Sequence, residues 1–538
     1  MKKVYCLFFL CLCVTSLLAQ HLGSYDFNEG DYTYRCHGGS VTILTYNGNN
    51  QKEIIIPDSV FCHDVKLPIT VIDGMSFDYH DEIEKLIIPS TIKTINATFQ
   101  NCNNIKEVII EKGEKPIDFC NYSFRGNKVE RFYLGREIEN YDGWDSRYIF
   151  NNLKYLYIED NVNSIQASFK MTEKGKVIIA DSENELVSKA SLSTDSIYLG
   201  RPLKGQAVYS GEFGGYCSCF EFGPTVTCIP YYFIGLSIDK FVIPKSIKRL
   251  NRDAFYESRI GKLIIEDSDE PLSLESSDAF YRTEIDSLYL GRNLSYEDGT
   301  VGTFNGGTFM FYKNDYLKYL YISDNVTELS RSEFSKCLYL TSVRLSDNLE
   351  TLPTSLFYSS IGVETTDIKM PKALIEVGES AFSNTYIAEA DFSDTKVEKI
   401  NYGAFNSAWR LSRIVLPPTI RFIDKKAFAG CTKLKEILSY SENVPVTDTE
   451  SFLNVDFSTC VLRVPYESVD LYKSDIVWSK FVNILPIEET SYINTSFANS
   501  NNETPQLYGI DGRKHTYSRG IIIEKTSKGT KKYLRKNK

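Results

Sequence analysis

Phenylalanine returns along this chain at a near-constant interval, and that interval limits what the chain can fold into. Phe77, Phe99, Phe124, Phe150 and Phe169 come first. After a less regular stretch the series resumes at Phe233, Phe255, Phe280, Phe309, Phe334, Phe357, Phe382, Phe405, Phe428 and Phe452, with most gaps 22 to 25 residues. Self-similarity at that period predicts a solenoid, because a unit this small cannot bury its apolar face alone and must stack on its neighbours. The recurring ring is expected to form a spine along the stacking axis.

The unit is clearest in "IVLPPTIRFIDKKAFAGCTKLKEI", Ile414 to Ile437. A short apolar strand runs into proline, which has no N–H and so ends the ladder. An apolar residue, a polar pair and Ala-Phe follow. "LIIPSTIKTINATFQNC", "FVIPKSIKRLNRDAFYES" and "DIKMPKALIEVGESAFSN" repeat it. Cys431 lies three residues after its Phe, as do Cys102 and Cys337, and Ser258 and Ser360 fill the same slot elsewhere. A slot shared by small residues predicts inward packing, not a nucleophile, since free Cys behaves as a small hydrophobe. A second device is superposed. "YLGR" occurs at Tyr133, Tyr198 and Tyr289, and "LKYLYIEDNV" and "LKYLYISDNV" are near copies. Their period-two alternation predicts strands with Tyr on one face and Leu or Ile on the other.

The pattern strand, Leu-Pro, Ala-Phe, Gly-Cys, Leu in "IVLPPTIRFIDKKAFAGCTKL" resembles the BspA-type leucine-rich repeat proteins, secreted or surface proteins of Bacteroides-like bacteria. Asp424 stands where the family repeat has glycine. "YDFNEGDYTYRCHGGSVTILTY", from Tyr25, resembles the family's N-terminal hairpin, and "VPYESVDLYKSDIVWSKFVNIL", from Val464, its closing cap. In that cap Pro465 and Glu467 suit a helix start. Val469, Leu471, Tyr472 and Trp478 then supply an apolar cover, with Phe481 and Ile484 behind it. The resemblance implies a leucine-rich repeat β-solenoid, with curved parallel-strand coils, a C-terminal helical cap and a small C-terminal β tail. It also implies adhesion to host proteins or to other bacteria.

The ends bound the organisation. "MKKVYCLFFLCLCVTSLLAQ" has a positive start, an apolar run too short to span a membrane and a small residue at Ala19, which together predict a secretory signal. No other stretch is apolar for long enough to cross. The expected layout is a signal at 1–19, a cap hairpin at 20–50 and a solenoid at 51–460 with an irregular coil at about 170–230. A closing cap at 461–487, a Ser/Asn/Thr-rich linker at 488–506 and a basic tail at 507–538 complete it. Asp511-Gly512 is a hairpin signal in that tail. The tail resembles the C-terminal segment of many Bacteroides-group secreted proteins, which implies sorting or retention at the surface. From Pro505 onward the charge is +8, so with Lys2 and Lys3 also set aside the body carries −20. An acidic body argues against nucleic acid as a partner.

Chemistry is sparse. The five histidines are His21, His37, His63, His80 and His515, so none falls between residues 81 and 514. No nucleophile elbow, H-E-x-x-H, P-loop or dinucleotide fingerprint occurs. Cys36-His37 and Cys62-His63 could supply a zinc site, yet adjacent strand residues point to opposite faces. A Cys36–Cys62 disulfide closing the cap is the stronger alternative, and unpaired thiols the remaining one. Cys217 and Cys219, with Cys228 near, leave their pairing open. "EDSDEPLSLESSD", from Glu266, is an acidic loop in which calcium competes with simple solvation, because EF-hand ligand order is missing. No catalytic, cofactor, metal or ligand-binding residue is assigned. The expected function is non-catalytic binding at the cell surface to host proteins, glycans or bacterial partners. The alternatives are a periplasmic scaffold and an enzyme or metal module within residues 170–230.

Overall fold

The computed structural model describes residues 23–119, 123–124, 126–139, 150, 152–165, 169–188, 194–204, 215–229, 233–297, 311–360, 362, 368–487, 520–526 and 529–535. The signal, the linker and Asp511-Gly512 lie outside them. They form a parallel β-solenoid of about 16 turns. Most turns carry a longer strand, such as Lys85–Ile88 or Arg131–Leu134, and a shorter one, such as Thr94–Ile95 or Ile117–Phe119. The longer strands pair in register from coil to coil, Leu86 with Val108, Val108 with Phe132 and Phe132 with Leu156. Alternate residues therefore form rows along the axis, one inward and one outward. The longer strands build three ladders, ending at Cys219–Phe222, Ser342–Arg344 and Asn483–Pro486.

The expected aromatic spine forms. Phe77 stacks on Phe99 at 4.7 Å between ring centroids, and Phe99 on Phe124 at 5.1 Å. From Phe311 to Phe452 every neighbour is parallel-stacked, at 5.1 to 5.9 Å. The ring in the coil before Phe334 is Phe311, not Phe309, which falls outside the described residues. The main chain steps with the rings: Phe382 N–H donates to Ala404 C=O at 2.7 Å and Phe405 N–H to Ala427 C=O at 2.7 Å. Many Phe turns are bracketed by left-handed residues, such as Ser380 and Asn384 around Phe382, or Lys426 and Gly430 around Phe428. That suits the glycine just before Cys431.

The described strands of residues 170–230 continue the ladder up to its end. Met171–Ile179, Ser196–Leu199 and Cys219–Phe222 pair in parallel register with the coils before them. The departure follows: the ladder stops at Cys219–Phe222, a new one starts with Gly215–Tyr216 and Leu236–Ile243, and Phe220, Phe222, Phe233 and Phe241 cluster edge-on or tilted instead of stacking.

Both ends of the core are covered. At the N-terminus Tyr25–Glu29, Tyr32–His37 and Ser40–Tyr46 form an antiparallel hairpin sheet that continues through Val65–Ile72 into the short-strand ladder. At the C-terminus the short helix Val469–Ser474 places Tyr472 against the last coil, and Trp478 meets Phe452 edge-on at 5.3 Å. The indole N–H donates to Pro445 C=O and Thr447 Oγ1. Leu471, expected in this cover, is instead 55% exposed on the helix's outer side. Residues 520–526 and 529–535 pair as an antiparallel hairpin.

Candidate functional surface

The residues that could carry chemistry are mostly spent on holding coils together. The Cys slot is fully buried, as expected, and the structure adds a role. Cys102 Sγ donates to Phe77 C=O, Cys337 Sγ to Phe311 C=O and Cys431 Sγ to Phe405 C=O. Ser258 and Ser360 make the same bond to Phe233 and Phe334. The slot is thus a hydrogen-bond donor to the previous Phe turn. Burial pushes the Cys102, Cys337 and Cys431 thiols up to about 12, so little thiolate exists at neutral pH.

The acidic loop is similarly committed. Glu266 accepts from Lys245 N–H, Asp267 from the Tyr289 and Ser323 hydroxyls, and Asp278 from Arg252. Its carboxylates serve separate neighbours and do not converge. Among the described residues no group of three or more His, Cys, Asp or Glu is placed to hold a metal. Cys36 and Cys62 point inward, whereas His37 and His63 are exposed. Cys217 is buried and Cys219 exposed, while Cys228 donates to Asn251 Oδ1. His80 pairs with Glu82 at 2.6 Å, and His63 with Tyr25.

The Gly-Arg of "YLGR" follows the strand directly. It is a brace. Arg136, Arg201 and Arg292 are fully buried. Arg136 donates to Pro89 C=O and Ser90 C=O, Arg201 to Glu159 C=O and Asp160 C=O, and Arg292 to Pro244 C=O. Each reaches back two coils. The glycine before it has no room for a side chain, since a Cβ on Gly135 would lie 2.3 Å from Ile110 O. Burial lowers the Arg136 guanidinium to about 10. The tyrosine of the motif faces outward, and the hydroxyls of Tyr198 and Tyr289 donate to Asp181 and Asp267 of the preceding corner.

What remains is the outer face of the longer-strand ladder. Its rows follow from the register. One row is apolar and aromatic: Ile55, Ile87, Ile109, Tyr133, Tyr157, Ile178 and Tyr198. It resumes as Val242, Ile264, Tyr289 and Tyr321. These side chains are half-buried, apart from the exposed Ile55 and Tyr321. Beside it runs a row of alternating charge, in which Lys85 bridges Glu53 and Glu107, and Arg131 pairs with Glu107 at 2.6 Å. A further row alternates Lys52, Glu84 and Lys106. Near Tyr321 the face is most aromatic. Tyr289 stacks on Tyr321 at 4.9 Å, the Arg344 guanidinium covers Tyr321 at 4.5 Å, and Tyr319 is 55% exposed. Sequence reading found the tyrosines but missed the outward isoleucines. Their signal was the doubled apolar pair in "KLII", "EVII" and "KVII", which a parallel strand apolar on both faces requires.

The repeat model for the BspA-type leucine-rich repeat region, of six copies, matches residues 70–196, 226–364 and 361–471. The chain belongs to the BspA-type leucine-rich repeat family. Three solved structures resemble this family member at low identity. A leucine-rich cell surface protein from Faecalibacterium prausnitzii is 18% identical, over 77% of this chain and 94% of that one, with a TM-score of 0.24. A leucine-rich repeat protein from Bacteroides ovatus is 16% identical, over 86% and 100%, with a TM-score of 0.26. The pneumococcal vaccine antigen PcpA is 17% identical, over 86% and 98%, with a TM-score of 0.29. No curated protein matches the chain in sequence. Among the described residues, no helix is long and apolar enough to cross a membrane.

Proposed function

We propose that this BspA-type protein is an exported, non-catalytic binding protein displayed at the cell surface. Its partner is a host extracellular protein or glycan, or a surface component of another bacterium, and it docks on the outer face of the longer-strand ladder. The observation that carries this reading is the apolar and aromatic row, half-exposed among the described residues and flanked by alternating charge. Tyrosine edges with adjacent arginine are the side chains from which binding hot spots are built. The N-terminal secretory pattern supports export. The commitment of the cysteines, the acidic loop and the motif arginines to inter-coil bonds supports a role without catalysis.

The test is protease accessibility on intact cells, followed by a binding screen against matrix proteins and glycans. Display predicts digestion of the repeat body while a periplasmic control stays intact. Protection until lysis would replace display by a periplasmic scaffold. For any ligand found, Tyr319→Ser with Tyr321→Ser is expected to weaken binding by roughly tenfold or more. Unchanged affinity would move the site off this face.

A further inference from the structure

Four side chains, Tyr25, Cys36, Cys62 and His63, gather where the N-terminal hairpin meets the first coil. Tyr25 and Cys36 sit opposite each other across the strand pair Tyr25–Glu29 and Tyr32–His37. The Tyr25 hydroxyl lies 2.6 Å from His63 Nδ1, and its ring packs edge-on against that imidazole at 4.8 Å. Cys62, next in sequence to His63, ends the strand Ser59–Cys62. Cys36 and Cys62 are both fully buried. Both are free thiols, and each interacts with the other and with the Tyr25 hydroxyl.

This arrangement differs from that of the other cysteines with a described hydrogen bond. Cys102, Cys337 and Cys431 each face a Phe carbonyl, Cys217 faces main-chain carbonyls, Cys219 faces the Glu221 carboxylate and Cys228 faces Asn251. Cys36 and Cys62 face each other. They stand 26 positions apart, one in the cap and one in the first coil, so a bond between them would join two elements that otherwise meet only by packing and pairing. The outermost cap strand, Tyr25–Glu29, is paired on one edge only. Such a strand is the first to open, and its opening uncovers Cys36.

We propose that Cys36 and Cys62 form a disulfide that locks the N-terminal hairpin onto the first coil. The oxidant is a second disulfide, small-molecule or protein, of the compartment the chain reaches; for that compartment alone the proposal rests on the export reading. One cysteine thiolate attacks a sulfur of the oxidant disulfide and releases one oxidant thiol. The other cysteine then displaces the second oxidant thiol and closes the Cys36–Cys62 bond. Two electrons pass to the oxidant, and the two protons of the cysteine thiols end on its released thiols.

The experiment uses the purified full chain, equilibrated across a series of reduced and oxidised glutathione mixtures. It is quenched in acid, unfolded, alkylated and mapped by peptide mass. The expected result is a Cys36–Cys62 linked peptide at the oxidising end, with both cysteines alkylated at the reducing end. Cys102, Cys337 and Cys431 should be alkylated throughout. Cys36→Ser should leave Cys62 alkylated at every ratio, not paired elsewhere. Alkylation of both cysteines at the oxidising end, or pairing with other partners, would overturn the proposal. Alkylation of protein trapped directly from intact cells separates the two readings. A pair that oxidises in glutathione but is reduced in cells would count against export and leave the geometry standing.

Discussion

Among the corners that follow the longer strand, two kinds contrast. In one, the strand runs into proline, as at Pro89, Pro244 and Pro417. In the other it runs into Gly-Arg, at Gly135-Arg136, Gly200-Arg201 and Gly291-Arg292. The proline corner removes a donor, and its carbonyl is bonded locally, as by Ile92 N–H at Pro89 and Ile420 N–H at Pro417. The Gly-Arg corner exports donors, sending a guanidinium back two coils to carbonyls that include those of Pro89 and Pro244. The two corners are complementary, so a mixed array can satisfy main-chain groups that a uniform one leaves to local bonds. Coils from Met370 to Val464 use proline at three corners, Pro371, Pro417 and Pro465, have no Gly-Arg corner, and carry an even Phe stack. Coils from Arg131 to Phe222 hold two of the three buried arginines, and their rings meet at steep angles.

The comparison can be broken experimentally. Gly135→Ala places a Cβ against Ile110 O, which is main chain and cannot swing away, and should cost about 3 kcal/mol or more. Pro417→Ala, at the other kind of corner, should cost less than about 1 kcal/mol. Urea unfolding monitored by amide hydrogen exchange would read both locally; equal costs would remove the distinction.

Glu333 is a buried acid that stands apart from the braced arginines. It occupies the slot that Ala381, Ala404 and Ala427 fill elsewhere, with the Tyr296 hydroxyl at 3.0 Å from Oε1 and Oε2 without a partner. Burial raises its carboxyl to about 7. Between pH 4.5 and 7 the folded chain holds a proton that the unfolded chain has released. Stability therefore falls as pH rises through that window, by roughly 3 kcal/mol in all, and levels off above it. Glu333→Gln should abolish that slope and be the more stable chain at pH 8. A parent whose local opening is independent of pH would show that Glu333 stays ionised.

Arg136→Met removes the donors to Ser90 C=O and should cost about 2 kcal/mol, localised to the coils from Pro89 to Arg136. A neutral result would mean that the cost of burying the cation cancels the brace. The smallest effect is expected at Lys426, a non-glycine residue at φ 58° in the Phe turn. Lys426→Gly should stabilise by about 1 kcal/mol or less, matching Gly403 in the same slot of the preceding coil. A loss of stability would show that the Lys side chain holds the turn.

Much of this architecture is legible in sequence because it repeats. A ring every 22 to 25 residues allows one economical burial, and the stacked coil provides it. The burial of Cys431 followed from slot equivalence with Ser258 and Ser360, which needs no coordinates. The cap tryptophan followed from the need to cover an open end. Legibility declined where contacts skip a coil. Nothing near Arg136 names Ser90 as its acceptor, and nothing near Glu333 names Tyr296. The outer face was half legible. Its tyrosines stand out in composition, but outward isoleucines look identical to inward ones until register sorts them.

The sequence by itself determined the repeat, the Phe spine, the identity of the small buried slot and the positions of both caps. These depend on local pattern and on period, and both survive without coordinates. Only the tertiary structure decided that the motif arginines brace three coils, that the acidic loop is spent on neighbours and that Cys36 meets Cys62. It also decided that an apolar row lies on the outer face of the ladder. The physical reason is that parallel register turns residues tens of positions apart into neighbours within bonding distance, and no sequence interval states which ones meet.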